Sequence, residues 1–223
     1  MQIDILYQGR DFIIIYKPCG VSVHKDQAEI GLTTQVAQQL GVPLVWLVHR
    51  LDKVTSGLLI LGLNAQSAAN FSALFAEHRI QKTYVALSNQ KPKKKQGLII
   101  GDMKKARAGA WKLCPTKENP AITRFESISC EPGLRLFILK PQTGKTHQLR
   151  VAMKSLGSPI LGDKLYSKNT EEIDRTYLHA AGLEFHYQGE NFSFFCLPKE
   201  GEYWQRECVK EKLMEKINPT QAR

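Results

Sequence analysis

The sequence predicts an α+β protein: a single domain over residues 1–223, with a mixed, mainly antiparallel β-sheet flanked by helices. Strand-like segments outnumber helical ones, and several of them are paired around short turns. The helical segments are interspersed without a regular strand–helix–strand repeat, which argues against a parallel sheet. A chain of 223 residues supplies one full-sized core, and we find no linker that would separate two domains.

The first half of the chain is predicted to contain four strands and two helices. Four short segments have the apolar or β-branched character of strands: residues 3–7, 12–17, 44–49 and 57–63. The last of these is nearly all apolar, which is typical of a strand that is buried on both faces. Two helices are expected, over residues 33–40 and 64–78. Gly41 and Pro43 end the first helix, and Asn64 is placed to cap the second.

The second half of the chain is predicted to contain five strands and two helices. The strands are expected at residues 82–87, 121–129, 134–140, 183–187 and 192–197. Turn sequences at 131–133 and 188–189 join the last four strands into two hairpins. Helices are expected over 146–156 and 202–217. The basic, glycine-containing segment 88–112 is predicted to form a hairpin or an excursion from the sheet.

The composition limits the classes of function. Apolar residues make up 43% of the chain and charged residues 23%, as in ordinary globular proteins. No apolar stretch approaches the roughly 20 residues of a membrane helix, and the N-terminus lacks the pattern of a signal peptide. The five cysteines are odd in number and none is spaced for zinc. We therefore expect reduced thiols, no bound metal, no membrane association and a cytoplasmic location.

The positive charge of the chain predicts a polyanionic partner. The formal net charge is +10, and residues 91–117 hold eight Lys and one Arg against one Asp. A lysine run of this kind is often only a solvated loop, and that reading stays open for residues 91–95. Together with the global charge, however, the basic segment favours binding of nucleic acid through its phosphates.

The segment 49–59, with the sequence His-Arg-Leu-Asp-Lys-Val-Thr-Ser-Gly-Leu-Leu, carries the strongest chemical signal. It places Asp52 in a turn between two apolar strands. A turn aspartate commonly does no more than accept hydrogen bonds from nearby backbone N–H groups, and the residues alone leave that reading open. The segment 143–146, Thr-Gly-Lys-Thr, looks like the end of a phosphate-binding loop, but Leu139 stands where that motif needs glycine. We therefore expect no nucleotide cofactor.

The segment 49–59 resembles the signature of pseudouridine synthases of the RluA type. Five further segments are similar to that family's other motifs and occur in the family's order: Lys-Pro-Cys-Gly at 17–20, Lys-Thr-Tyr-Val-Ala at 82–86, Thr-Gly-Lys-Thr-His-Gln-Leu-Arg at 143–150, Pro-Ile-Leu-Gly-Asp at 159–163 and Leu-His-Ala at 178–180. The resemblance thus covers residues 17–180 and implies the pseudouridine synthase fold.

The resemblance implies an isomerase that converts specific uridines in rRNA or tRNA to pseudouridine. The expected partner is RNA, and no metal, nucleotide or organic cofactor is implied because the reaction only rearranges the atoms of its substrate. The target nucleotide is expected to flip out of its helix so that its ribose and base can both enter one pocket. We expect no S4 RNA-binding domain of the kind that larger relatives carry, because the family motifs begin by residue 17. We also expect a monomer, because nothing in the sequence demands an interface.

The resemblance also implies three residues of the catalytic site. Asp52 corresponds to the family's essential aspartate, which either attacks C1′ of the ribose or removes a proton from C2′. Arg150 corresponds to the basic residue that pairs with this aspartate and orients it. Tyr84 corresponds to the active-site tyrosine, whose ring can stack on the uracil and whose hydroxyl lies near C5. A surface arginine and a packed strand tyrosine are the ordinary alternatives.

Four more residues are expected to bind the substrate on the same resemblance: Lys17, Arg50, His147 and Leu149. Arg50 is expected to contact or displace bases, and Leu149 to line the uracil pocket. His49 is expected to be structural. The alternative function is a non-catalytic RNA-binding protein that retains the scaffold. The basic segment motivates it, as does Ala152, which stands where many family members carry histidine.

Overall fold

The computed structural model describes residues 2–23, 31–168 and 172–217. Over these ranges the chain forms eleven strands: β1 Asp4–Gln8, β2 Phe12–Lys17, β3 Trp46–Leu47, β4 Ser56–Gly62, β5 Gln81–Ser88, β6 Gln96–Lys105, β7 Trp111–Cys114, β8 Ala121–Glu131, β9 Leu134–Pro141, β10 Leu178–Tyr187 and β11 Glu190–Phe195. The α-helices in the same ranges are α1 Leu32–Leu40, α2 Ala65–Ala76, α3 Gln148–Ser155 and α4 Glu207–Lys216. None of these helices has both the length and the apolar character needed to cross a bilayer.

The strands form one sheet with the order β1-β2-β4-β10-β5-β9-β8-β6-β7, with β3 paired to β4 and β11 paired to β10. The pairing of β4 with β10 is parallel, and the other pairings are antiparallel. The prediction of a mixed, mainly antiparallel sheet with helices packed on it is therefore confirmed.

The central strands are buried on both faces because helices cover each side of the sheet. Along β4, Leu59 and Leu61 pack in one cluster with Val36 of α1. Leu58 and Ile60, which face the other way, pack with residues of α2. Each fully buried aliphatic side chain contributes roughly 1.5–3 kcal/mol relative to exposure, so the apolar run of β4 anchors the turn that precedes it.

Strand β10 lies between β4 and β5, and this arrangement brings distant motifs together. Ala180 of β10 is opposite Gly57 of β4 and Tyr84 of β5. A Cβ atom on Gly57 would lie 2.2 Å from the carbonyl oxygen of Ala180, so only glycine permits this approach. The loop that carries Asp52 and the strand that carries Tyr84 are thereby held on either side of one strand.

Several element boundaries differ from those that the sequence predicts. Strand β10 begins at Leu178 and not at residue 183, because its first residues pair with β4 inside the sheet. The helix expected over 202–217 is divided, since Arg206 is extended (φ −65°, ψ 134°) between a 3₁₀ turn and α4. Trp204 is buried beside this break, and the Arg206 guanidinium lies over the ring of Tyr203. The segment expected to be a hairpin or an excursion contains β6 and part of the hairpin that it forms with β7.

Candidate active site

A cavity of about 490 Å³ opens where three segments meet: the loop between β3 and β4, the strand β5, and the loop that leads into α3. Its size is that of an ordinary small-molecule pocket. Six of the seven residues predicted for the site line it: Arg50, Asp52, Tyr84, His147, Leu149 and Arg150. The sequence motifs therefore converge in space, although nearly 100 residues separate Asp52 from Arg150.

Lys17 does not line the cavity, which corrects the expectation that it binds substrate. Its side chain is completely buried, and its ammonium donates hydrogen bonds to the carbonyls of Pro18 (2.9 Å), Val21 (2.7 Å) and Lys53 (3.3 Å). Burial lowers the pKa of Lys17 to about 8. Because Lys53 directly follows Asp52, Lys17 supports the turn that presents the carboxylate and has no free donor for RNA.

Asp52 occupies the first position of a tight turn. The N–H of Thr55 donates to the backbone carbonyl of Asp52 at 2.9 Å, and the preceding Leu51 is buried in the core. The carboxylate itself accepts no hydrogen bond from this turn in the part of the chain that the structure describes. The reading of Asp52 as a mere turn aspartate therefore does not fit its surroundings.

Arg150 on α3 holds two carboxylates with different edges of its guanidinium. Nε and Nη2 donate to the two oxygens of Asp163 at 2.8 and 3.0 Å, whereas Nη1 donates to Asp52 Oδ2 at 3.3 Å. The predicted contact between Asp52 and Arg150 is thus present. The bidentate bond to Asp163 is the stronger of the two, because two short parallel hydrogen bonds fix the planar group.

The carboxylate of Asp52 is more accessible than that of Asp163. Its side chain is 19% exposed, against 1% for Asp163, and within the described ranges no group donates to Oδ1. One cation shared by two anions leaves the cluster with an excess of negative charge. Asp52 is therefore oriented by Arg150 without being fully neutralised, which suits a group that acts on an electron-poor centre.

Tyr84 lies in the wall of the cavity, on β5. Burial and, secondarily, the charge of Asp52 raise the pKa of its hydroxyl. Tyr84 therefore stays a neutral phenol at neutral pH. Among the described residues its hydroxyl has no hydrogen-bond partner, so the hydroxyl is available to a ligand.

Three further predicted positions lie at the cavity or its rim, two of them at the start of α3 and one in the loop between β3 and β4. His147 is left-handed (φ 55°) and caps α3, which begins at Gln148, two residues later than the sequence predicts. Its Nδ1 lies 2.7 Å from the hydroxyl of Tyr166. Leu149 is buried at the cavity wall, and Arg50 is exposed on the rim. Gln148 fixes the loop, since its Oε1 accepts from Lys145 N and from Thr143 Oγ1.

His49 is held as a neutral structural side chain, as the sequence predicts. Its Nε2 accepts the backbone N–H of Ile60 at 2.9 Å, and its ring stacks on Phe75. Burial, with a smaller effect of Lys82, lowers the pKa of His49 to about 3. A ring that stays neutral and already accepts a backbone hydrogen bond is poorly suited to acid–base catalysis.

Sequence reasoning missed three residues that shape the site. Asp163 holds Arg150, and Tyr166 contacts both Arg150 and His147. Lys82 lines the cavity with a pKa lowered by burial and donates to the carbonyl of Thr143. Asp163 and Lys82 both lie inside quoted family motifs, which was the available signal, whereas nothing in the sequence pattern distinguishes Tyr166.

Ala152 does not face the cavity. Its side chain is 3% exposed and packs in the main hydrophobic cluster of the sheet and α3. The absence of a histidine at this position therefore leaves the cavity wall unchanged. This removes one of the two reasons for considering a non-catalytic protein.

Residues 11–155, which make up more than half of the chain, match the RNA pseudouridylate synthase family. The fold and the site define a protein with a mixed sheet whose carboxylate–guanidinium pair lies at an open cavity. The chain belongs to the RNA pseudouridylate synthases, within the RluA branch, and is an isomerase that converts uridine in RNA to pseudouridine.

The chain is similar to several curated relatives. It is 75% identical to an uncharacterized RNA pseudouridine synthase of Haemophilus influenzae, over 96% of this chain and 95% of that protein. It is 33% identical to ribosomal large subunit pseudouridine synthase C of Rickettsia bellii, over 74% of this chain and 57% of that protein. It is 31% identical to tRNA pseudouridine synthase C of Haemophilus ducreyi, over 83% of this chain and 86% of that protein.

A solved structure shares the fold. Human RNA pseudouridylate synthase domain containing 1 superposes with a TM-score of 0.77 and 24% identity, over 100% of this chain and 97% of that one. At that identity the likeness concerns the fold alone, and it agrees with the pseudouridine synthase fold that the sequence resemblance implies.

Proposed function

We propose that this enzyme isomerises specific uridines in ribosomal or transfer RNA, and that Asp52 is its catalytic carboxylate. The observation that carries the proposal is the state of Asp52: a carboxylate in a cavity, oriented through one oxygen by Arg150, with its other oxygen free of donors among the described residues. The names of the relatives from Rickettsia bellii and Haemophilus ducreyi supply the two classes of RNA.

The reaction begins with cleavage of the N1–C1′ bond, whose electron pair leaves with the uracil. Asp52 assists either by forming a bond to C1′ or by taking the C2′ proton, and both routes use an anionic oxygen at the ribose. The uracil then turns, C5 bonds to C1′, the C5 proton leaves and N1 gains a proton. The carboxylate is regenerated, so the enzyme needs no stoichiometric co-reactant.

Tyr84 and Leu149 form the part of the cavity that receives the base. A neutral tyrosine ring and an aliphatic side chain offer apolar surface for a planar uracil, and the Tyr84 hydroxyl is free to hydrogen-bond with it. Because a base inside a helix cannot reach these groups, the uridine flips out at a cost of a few kcal/mol. Arg50, exposed on the rim, is placed to contact the bases left behind.

The basic segment offsets part of that cost by binding the RNA backbone. Lys104, Lys105, Arg107 and Lys112 are exposed on the hairpin formed by β6 and β7. The hairpin is tied to the cavity because Asp102 accepts the backbone N–H of Asn119 at 2.9 Å, and Asn119 Oδ1 accepts from Lys145 at 2.7 Å. Both Asn119 and Lys145 line the cavity.

Pseudouridine mapping tests the proposal and names the substrate. Total RNA from a strain that lacks the gene is compared with RNA from the same strain complemented with the wild type, with Asp52→Asn or with Asp4→Asn. We expect one or a few rRNA or tRNA positions to lose pseudouridine in the deletion strain. The wild type and Asp4→Asn, which alters only a surface ion pair, should restore them.

Purified protein gives the second part of the test. Wild-type protein should modify the same positions in RNA from the deletion strain, and Asp52→Asn should be slower by about 10³-fold or more while still binding RNA. Pseudouridine formation by Asp52→Asn at the wild-type rate would refute the role of Asp52. An unchanged map together with wild-type inactivity on all stable RNAs would favour the RNA-binding alternative, and release of free uracil would indicate hydrolysis.

A further inference from the structure

Tyr166 connects the basic hairpin to the active site through a single hydroxyl group. Its side chain is 3% exposed and lies in the turn that follows Asp163. The hydroxyl oxygen lies 2.9 Å from the backbone nitrogen of Trp111 on β7 and 2.7 Å from Nδ1 of His147 at the cavity. No other described tyrosine hydroxyl is shared between that hairpin and a residue that lines the cavity.

The chemistry of the donors fixes the direction of these two hydrogen bonds. A backbone N–H can only donate, so the Tyr166 oxygen accepts from Trp111. The hydroxyl proton is then free to donate to His147 Nδ1, which requires a lone pair on that nitrogen. Burial lowers the pKa of His147 and raises that of Tyr166, so a neutral imidazole and a protonated phenol are both favoured.

This arrangement selects one tautomer of His147. With Nδ1 acting as acceptor, the ring proton resides on Nε2. His147 lines the cavity, and among the described residues Nε2 has no partner. The Nε2–H group is therefore the donor that His147 can offer to a carbonyl or phosphate oxygen of the RNA.

The ring of Tyr166 also contacts Arg150, the cation that binds Asp52. The guanidinium carbon of Arg150 lies 5.0 Å from the ring centroid, within the range of a cation–π contact. Asp163 holds the edge of the same guanidinium, so Tyr166 and Asp163 restrain Arg150 from two directions. One side chain thus contacts the RNA-facing hairpin, His147 and the partner of Asp52.

We propose that Tyr166 is a positioning residue for the isomerase: its hydroxyl holds His147 as the Nε2–H tautomer, and its ring holds Arg150 against Asp52. The role rests on the proposed function, because it matters only if RNA enters this cavity. A small misplacement of a catalytic group costs up to about 10²-fold in rate. The effect should therefore appear in the chemical step more than in RNA binding.

Tyr166→Phe tests the hydroxyl while keeping the ring. We expect the single-turnover rate at saturating RNA to fall by about tenfold or more, with the Kd for RNA changed by less than about threefold. Tyr177→Phe is the matched control. That buried hydroxyl also accepts a backbone N–H, from Tyr203, and donates to Asp174, but Tyr177 does not line the cavity. An equal loss of rate in both variants would reduce Tyr166 to a structural role and overturn the proposal.

The tautomer of His147 gives a readout that does not depend on activity. In the ¹⁵N spectrum of the full-length wild type, His147, assigned by comparison with His147→Gln, should show a protonated Nε2 and an unprotonated Nδ1. In Tyr166→Phe the two tautomers should mix, and in Tyr177→Phe the wild-type pattern should persist. An Nδ1–H tautomer in the wild type would refute the proposal, whether or not the enzyme acts on RNA.

A double-mutant comparison completes the test. If the hydroxyl acts through His147, adding Tyr166→Phe to His147→Gln should lower the single-turnover rate no further. Fully additive losses would show that the hydroxyl acts elsewhere. Failure of the wild type to make pseudouridine would instead refute the proposed function, and the spectrum of His147 would remain interpretable.

Discussion

Asp163 binds Arg150 through two hydrogen bonds, of 2.8 and 3.0 Å, and thereby leaves only Nη1 of the guanidinium to face Asp52. A planar guanidinium held along one edge cannot rotate to give Asp52 the same bidentate grip. The buried acid thus decides how tightly the accessible acid is held. The accessible carboxylate of Asp52 is oriented by a guanidinium whose stronger hydrogen bonds go to Asp163.

Asp163→Asn should weaken both the fold and the reaction. The substitution keeps the shape but removes the charge opposite a buried guanidinium, and breaking a buried pair costs about 3–5 kcal/mol. Because Asp52 remains nearby, we expect the free energy of unfolding to fall by about 3 kcal/mol. Arg150 should then turn toward Asp52 and reduce the rate by roughly 10–100-fold.

Urea unfolding and single-turnover assays check this prediction. Asp4→Asn is the matched control, because it breaks an ion pair with Lys199 in which both side chains are about half exposed. Such exposed pairs contribute at most about 1 kcal/mol. Equal losses of stability in the two variants would mean that Asp163 does not hold Arg150 as described.

Tyr84→Phe should retain the fold and RNA binding but lose most of the activity. The substitution removes only the hydroxyl, which has no hydrogen-bond partner in the described part of the chain, so stability should change little. Loss of a group that hydrogen-bonds or exchanges a proton with the base typically costs about 10²–10⁴-fold. Because the pKa of Tyr84 is raised, the wild-type rate should show no dependence on tyrosine ionisation between pH 7 and 9. A fully active Tyr84→Phe enzyme would restrict Tyr84 to stacking.

The sequence predicts the sheet well because its signals there are local. The apolar run at β4, the Asn64 cap of α2 and the turn between β8 and β9 each depend on neighbouring residues, and each appears in the structure. The start of β10 was missed because its pairing with β4 depends on residues more than 100 positions away. The interrupted last helix was missed for a similar reason, since the burial of Trp204 is a tertiary effect.

The sequence predicted the site residues that lie in recognisable family motifs. The family resemblance places Asp52, Tyr84 and Arg150 in one site, and the structure brings them to one cavity. The resemblance could not show that the ammonium group of Lys17 donates all its hydrogen bonds to backbone carbonyls. Nor could it show that Arg150 has a second acid, because a bidentate contact is a property of geometry that spacing in the sequence does not encode.

Acid should destabilise the protein through its buried neutral histidines. Burial lowers the pKa of His179 to about 3, and that of His49 to the same value. In the unfolded chain both return to the ordinary value near 6.5. Between pH 3 and 6.5 the unfolded chain therefore binds more protons, so this part of the stability is complete above pH 6.5 and is lost as the pH falls.

His49→Gln isolates one of these protons. The glutamine oxygen can still accept the N–H of Ile60, but the side chain does not titrate. Between pH 6 and 4, the free energy of unfolding measured in urea should fall less steeply in His49→Gln than in the wild type. The two slopes should differ by about 1.4 kcal/mol per pH unit, the contribution of one proton. His186→Gln, a surface substitution, is the control and should keep the wild-type slope. Parallel curves for His49→Gln and the wild type would contradict the assignment of His49 as a buried neutral base.

Removing two lysines from the hairpin should weaken RNA binding in a salt-dependent way. Lys104 and Lys112 are directly opposite each other on β6 and β7, an arrangement that destabilises a strand pair unless an anion lies against it. Lys104→Ala/Lys112→Ala should reduce the slope of log Kd against log salt by about 1.5, since each lost phosphate contact removes about 0.7–0.9. The variant Lys210→Glu changes the net charge by the same amount on α4 and should keep the wild-type slope. If both variants shift the slope equally, the RNA responds to net charge alone and the hairpin is not its binding surface.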